Sequence, residues 1–277
     1  MLDYNFKKYY CCEKGKEPIP IEYPSSSMYI VLNRNCNAAC PFCTFRGEVE
    51  RVDLKQLDKT LTEILKVCNL GTVHITGGEP SLYLEDIKQI CTIVKNHNSC
   101  ITTSCNTNGY AIKELLEMPN LDNVALSRHA ISDEDNQILF ATDTVPTVDV
   151  LQSLPNKHKL HVSCNLIKGY IDSEDKILKY LDFVGDVILC NDVGFVGLMK
   201  VNDFCNQHFL HMPKLHSVCK SRELEDKENG KVYCNCKNYL YLTPQNHMVS
   251  AYYRRVVEKR PFNDIFIYEN NILRQGW

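Results

Sequence analysis

The sequence predicts an α/β fold built on a parallel sheet. Three observations carry that expectation: apolar, β-branched runs alternate with segments of helical period, those runs are apolar on both faces, and six strand–helix units follow one another before the pattern changes. Strands buried on both faces belong to parallel sheets with right-handed crossovers. The first strand is expected at 28–33, MYIVLN. Asp53 then caps a helix whose apolar Leu54, Leu57, Leu61, Ile64, Leu65 and Cys68 recur at spacings of three and four, which marks one buried face. VHIT (73–76) reads as the second strand, 84–94 as a helix and CITTSCN (100–106) as the third strand. An Asn108-Gly109 turn leads to a short helix over 112–118. NVALS (123–127), LHVSCNL (160–166) and VGFVGLM (193–199) complete the strands, with a helix over 174–183 between the last two.

From about Asn202 the character changes. Cys205, Cys219, Cys234 and Cys236 are followed by Tyr239, Tyr241 and Tyr252 alternating around Pro244-Gln245-Asn246, which reads as a β-hairpin. The expected division is a barrel-like unit over 1–201, with its core from about residue 28, and an extension over 202–277. That extension is either a small metal-bearing appendage or a cap on the open side.

The 277 residues suit one such unit with an appendage, and 31 basic against 34 acidic residues give a net charge of −3. A near-balanced charge provides no field to gather nucleic acid or a membrane surface, and no basic stripe is present. No run reaches the ~18 apolar residues that span a bilayer, and the first residues lack a signal-peptide core. Fifteen cysteines without such a signal point to a reducing, cytoplasmic setting with thiols as metal ligands or small core residues. Cys105, Cys164 and Cys190 alternate with apolar residues and are read as buried hydrophobes.

Chemistry concentrates in the run NCNAACPFC. Cys36, Cys40 and Cys43 present three thiolates at C-x3-C-x2-C spacing and no fourth. Structural zinc closes with four ligands, whereas a four-iron cluster held by three keeps one iron open. The aromatic Phe42 precedes the third cysteine, and Gly77-Gly78-Glu79-Pro80 ends the second strand. Glycines there permit close backbone approach and leave carbonyls exposed.

Together these features resemble the radical S-adenosylmethionine (radical SAM) superfamily, and the resemblance runs from about Met28 to Met199. It implies an open, partial (β/α)6 barrel with its chemistry at the carboxyl ends of the strands. It also implies a [4Fe-4S] cluster on Cys36, Cys40 and Cys43, and S-adenosyl-L-methionine (SAM) chelated to the fourth iron. Reductive cleavage would then release a 5'-deoxyadenosyl radical that abstracts hydrogen from a substrate, with electrons from a flavodoxin- or ferredoxin-type donor. Gly77, Gly78, Glu79 and Pro80 would meet the methionyl amino group, and Phe42 would shield the cluster near adenine. Asn108, Ser127, Arg128 and Asn165, each at or just beyond a strand end, would complete the SAM pocket; His129 is read as structural.

Cys219, Gly230, Cys234 and Cys236 approximate the hairpin of the twitch and SPASM extensions, which implies a second [4Fe-4S] cluster. Three such ligands would leave one iron open to bind substrate, or Cys205 would complete four. Zinc on these cysteines with His211 or His216, and uncomplexed thiols, stay open as alternatives. Arg254 and Arg255 would face an anionic substrate or form a solvated edge, and the tail 273–277 would reach toward the barrel.

The substrate is expected to be a peptide or a small polar metabolite. Other readings are a glycyl-radical-enzyme activase and a metal-stabilised SAM-binding module without turnover; transfer-RNA modification is disfavoured by the charge balance.

Overall fold

The structure, a computed structural model, describes residues 25–45, 47–216, 219–223, 237–254 and 265–275. Eleven strands form one sheet in the order β11-β10-β1-β2-β3-β4-β5-β6-β9-β8-β7. Its centre is the predicted parallel run: β1 (Ser25–Asn33), β2 (Asn69–Gly77), β3 (Thr102–Thr107), β4 (Asn123–Ser127), β5 (Leu160–Leu166) and β6 (Asp192–Gly197). Every neighbouring pair in that run is parallel. All six carboxyl ends therefore lie along one edge. The sixth strand stops at Gly197, two residues short of the expected Met199, and β3 is shifted by one or two residues from 100–106.

The crossovers are α1 (Leu54–Ile64), α2 (Leu84–His97), α3 (Ile112–Glu117), α4 (Asp133–Phe140), α5 (Val148–Gln152) and α6 (Glu174–Asp182). Asp53 does cap α1, its carboxylate accepting from the backbone N–H of Lys55 and Gln56, and Leu57, Leu61 and Ile64 are the buried face. The helix ends at Ile64, before the expected Cys68. Fully burying such a side chain contributes ~1.5–3 kcal/mol, so this face holds the helix in place more than its propensity does. Strand side chains Met28, Ile30, Val73, Ile75, Val124, Leu126, Val162, Cys164, Val193 and Phe195 are buried with it in one continuous core.

The helices α4 and α5 were not anticipated. They lie in the 32-residue excursion over 128–159 between β4 and β5, and each begins at a capping hydroxyl, Ser132 or Thr147. Beyond α6 the chain continues as a π-helix over Phe183–Ile188, and β6 is followed by the short α7 (Asp203–Gln207).

The last strands extend the sheet at both of its margins. The expected hairpin exists as β8 (Lys237–Leu242) and β9 (Met248–Arg254), and β9 pairs in parallel with β6. β7 (Cys219–Glu223) lies outside β8. On the opposite margin β10 (Ile265–Glu269) pairs in parallel with β1, and β11 (Ile272–Gln275) turns back against it. Residues 272–275 are thus an outermost strand and do not enter the barrel, because their backbone is committed to β10. The strands of the extension that are described belong to the same sheet as the barrel.

The hairpin is fastened to the π-helix. Tyr241 donates its hydroxyl to Asp182 Oδ1 at 2.7 Å, and Asp186 takes the hydroxyl of Thr243, the N–H of Gln245 and His247 Nδ1. These partners hold the Asp186 carboxyl below its usual range against the opposing effect of desolvation. Among the described residues no helix is long and apolar enough to cross a membrane.

Candidate functional site

The cysteine loop leaves β1 at Asn33 and runs over the carboxyl edge of the sheet. Cys36 is exposed, Cys43 half-buried and Cys40 9% exposed. The loop is held by four braces, made of backbone and side-chain bonds from residues that follow β2, β3, β4 and β6.

The Gly-Gly-Glu-Pro turn is the first. Gly78 donates its N–H to Asn33 O and Glu79 donates to Asn35 O, both at 2.8 Å. A β-carbon on Gly77 would lie 2.1 Å from Asn33 O, and one on Gly78 would lie 2.1 Å from Asn35 O. Gly77 also sits at φ +143, where side chains are disfavoured. Both glycines therefore serve a backbone-to-backbone contact with the start of the cysteine loop. The sequence had suggested close approach; the partner that the structure places there is the loop.

Glu79 is the second brace, and it works inward. Its side chain is buried and accepts three hydrogen bonds: from Ser81 N–H at 2.9 Å, Thr107 Oγ1 at 2.7 Å and Asn108 N–H at 2.6 Å. A buried carboxylate costs several kcal/mol unless paired, and these three donors, two from backbone, satisfy it. They join the end of β3 to the end of β2. Pro80 opens a single 3-10 turn over Pro80–Tyr83 and is buried.

Asn108 carries the brace onward to the first cysteine. Its Oδ1 accepts from Tyr110 N–H at 3.1 Å, and its Nδ2 points at Asn37 Oδ1, 2.8 Å away, and at Cys36 Sγ, 3.8 Å away. Ala38 N–H also reaches Cys36 Sγ, at 3.4 Å.

The third brace is the excursion after β4. Phe140 O accepts from Ala39 N–H at 2.9 Å, and the Cys40 thiol lies 3.9 Å from the same carbonyl. Ala38, Cys40, Phe140 and Val145 form one small apolar cluster with Phe42 and Cys43 packed on it. Arg128, at the end of β4, holds this excursion. It is 1% exposed and donates to Pro146 O at 3.1 Å, Ile131 O at 2.7 Å and Asp133 Oδ1 at 2.8 Å, with its guanidinium over the Phe183 ring. The structure commits Arg128's terminal nitrogens to protein acceptors.

His129 lies beneath the loop. Its ring stacks on Phe140 with centroids 5.0 Å apart and meets Phe42 edge-on at 5.1 Å. Its Nδ1 accepts the N–H of Asn165 at 3.0 Å, so the neutral ring carries its proton on Nε2. Burial pushes its pKa down to about 3. Phe42 is half-buried and also approaches Phe204 of α7 at 6.2 Å. Ser127 and Asn165 are half-buried at the ends of β4 and β5.

The fourth brace is α7. Asn202, its capping residue, donates Nδ2 to Pro41 O at 3.0 Å, and the buried Cys205 thiol lies 3.8 Å from Phe42 O. Cys205 therefore sits against the first cysteine loop. Gly230, Cys234, Cys236 and Arg255 lie outside the described residues, and Cys219 opens β7. Cys105 and Cys164 are buried as expected, and desolvation pushes both thiols well above their usual range.

Two bracing contacts had no signal strong enough in the sequence. Arg34 forms an ion pair with Glu269 of β10. Asn271, in the β10–β11 turn, accepts from Asp53 N–H at 2.7 Å and donates to Arg51 O at 3.2 Å, while Asn270 accepts from Glu50 N–H at 2.9 Å. An Asn-Asn pair between IFIY and ILR is a turn signal, and both residues have positive φ, but its docking site lies some 220 residues earlier.

Three thiols on one loop, at the carboxyl edge of a parallel sheet, are a donor set for an iron–sulfur cluster, because soft thiolates select such centres. No group of three or more His, Cys, Asp or Glu side chains among the described residues converges on a single ion. A cubane needs no such convergence, since each thiolate binds its own iron.

A partial (β/α)6 sheet with this loop after β1 and a Gly-Gly-Glu-Pro turn after β2 defines a class, and the family model of the radical SAM superfamily matches residues 30–184. The chain belongs to the radical SAM superfamily. A protein of Methanocaldococcus jannaschii with the provisional name glycyl-radical enzyme activating enzyme is 22% identical over 216 residues, covering 76% of this chain and 81% of that protein. Among solved structures, Streptococcus suis SuiB bound to precursor peptide SuiA superposes with a TM-score of 0.54 at 18% identity, over 68% of this chain and 42% of that one. SuiB bound to S-adenosylmethionine gives 0.52 at 19% identity, over 65% and 42%. The chain thus matches less than half the length of SuiB, and that likeness bears on the fold alone.

Proposed function

We propose that this protein is a radical SAM enzyme that holds a [4Fe-4S] cluster on Cys36, Cys40 and Cys43 and abstracts hydrogen from a peptide or protein substrate. The observation that carries this reading is the cysteine loop itself, exposed at Cys36 and braced by the ends of β2, β3 and β4. When bound, the cluster and SAM together supply one-electron cleavage of the sulfonium, giving methionine and a 5'-deoxyadenosyl radical. The chain's own residues do the positioning. Gly77 and Gly78 seat the loop backbone, Glu79 ties two strand ends, and the carbonyls of that turn offer acceptors to the SAM ammonium. Ser127 and Asn165 are the polar groups offered to the rest of SAM, and Phe42 covers the loop on the side of α7. Arg128 acts by holding the excursion that packs on Cys40.

A polypeptide substrate is favoured over a small metabolite by the methanococcal relative, which is named for activating another enzyme. That name favours a specific variant of the reading, in which hydrogen is removed from a glycine of a partner enzyme.

The test is anaerobic reconstitution followed by incubation with SAM and a low-potential reductant. About four irons per chain and production of 5'-deoxyadenosine are expected. Iron without 5'-deoxyadenosine would leave a SAM-binding module and overturn the enzyme reading. A C219A/C234A/C236A variant extends the experiment to the extension: about eight irons falling to about four would assign a second cluster there. Four in both would exclude it.

A further inference from the structure

We propose that Asn108 is a positioning residue that donates an N–H···S hydrogen bond to the Cys36 thiolate and thereby raises the reduction potential of the cluster; this rests on the cluster reading above.

Three observations fix the donor's identity. Asn108 is 6% exposed, so its amide makes its bonds to protein. Its Oδ1 accepts from Tyr110 N–H at 3.1 Å. Rotating the amide by half a turn would place Nδ2 against that N–H and Oδ1 against Asn37 Oδ1, two repulsive contacts in place of two bonds. The NH2 group must therefore face the loop, and it carries two hydrogens. One meets Asn37 Oδ1 at 2.8 Å and the other is available to Cys36 Sγ at 3.8 Å.

The backbone of the same residue is held independently. Its N–H goes to Glu79 Oε2 at 2.6 Å, and Glu79 is anchored in turn by Ser81 and Thr107. The side chain is thus aimed by a buried carboxylate and does not depend on a mobile loop. Ala38 N–H, at 3.4 Å, is a backbone donor to the same sulfur.

Donors to a ligating sulfur withdraw electron density, stabilise the more negative, reduced cluster and so raise its potential. No bond to iron is made or broken. One electron from the added reductant is accepted, and the hydrogen bond shifts only the equilibrium.

The experiment is a redox titration of the reconstituted protein followed by electron paramagnetic resonance, on wild type, Asn108→Ala, Asn108→Leu and Thr144→Ala. Thr144 accepts from Asn37 Nδ2, so its variant perturbs the neighbourhood without removing the Asn108 donor. At a fixed potential near the wild-type midpoint, the oxidised-to-reduced ratio should rise several-fold in both Asn108 variants, a tenfold rise being 59 mV for one electron. T144A should match wild type. Protein labelled with 15N at asparagine should also show a nitrogen coupling to the reduced cluster that the Asn108 variants lack.

Unchanged ratios with full iron content, or no asparagine coupling in the wild type, would overturn the proposal. So would loss of iron from both Asn108 variants while T144A keeps it, since Asn108 would then be part of the loop's framework alone. A wild type that holds no cluster is a different failure, that of the cluster reading.

Discussion

Gly78 shows how little room a single position has at this site. Its missing β-carbon is what lets Asn35 O come within bonding reach of Glu79 N–H. Gly78→Ala is expected to displace residues 33–36 while leaving the core intact. Iron per chain after reconstitution should fall from about four to below about one, with an unchanged far-ultraviolet spectrum. Retention of full iron would show that the loop can shift without loss. His129 makes a second prediction. Its folded pKa of about 3 lies below the unfolded value of ~6.5, so between those limits the unfolded chain binds a proton that the folded chain does not. Stability should therefore fall as pH falls from ~6.5 toward 3, by up to ~1.4 kcal/mol per unit from this group. In His129→Gln that part of the slope should vanish from urea midpoints measured across the window. The stacking on Phe140 and the N–H of Asn165 are what hold this ring in place.

The elements that were readable are those whose stability is local or periodic. β4 and β5 have the predicted bounds, 123–127 and 160–166, because apolar alternation ends abruptly at both ends of each. The helix α1 begins where Asp53 predicted, since a cap is a contact over three residues. The sequence marks α4 only weakly because the stretch SDEDNQ is polar and shows little amphipathic period, although Ser132 followed by three acidic residues is a usable start signal. The β10–β11 hairpin was missed for a different reason. Its role is to meet β1 and residues 50–53, contacts that no local window contains. Asn271→Gly isolates that role, because glycine keeps the positive φ of 58° and loses the side-chain bonds to Asp53 and Arg51. A loss of about 1–2 kcal/mol in urea unfolding is expected, with faster amide exchange at the start of α1. No change in either would make the contact incidental.

The molecule as a whole solves an edge problem. Six parallel strands alone would leave β1 and β6 with unpaired backbone on their outer sides, the arrangement that invites aggregation. β9 covers one margin and β10 the other, so both strands that lead into candidate site loops become interior. A chain ending at residue 264 would lose β10 with the buried Ile265, Phe266 and Tyr268. At ~1.5–3 kcal/mol for each side chain, the loss is about 5 kcal/mol or more. Thermal unfolding should drop by roughly 10–20 °C, with reduced soluble yield; an unchanged Tm would show that the margin needs no cover.

The pairing of β1 with β10 also orders events in time. Ser27 faces Ile265, so β1 waits for a strand that is made long after it. Until then Arg34 has no Glu269 to meet and residues 50–53 have no asparagine turn to grip them. Contacts of such long sequence separation form late. On a growing chain the cysteine loop therefore stays open on its β10 side until residues 265–269 have been made.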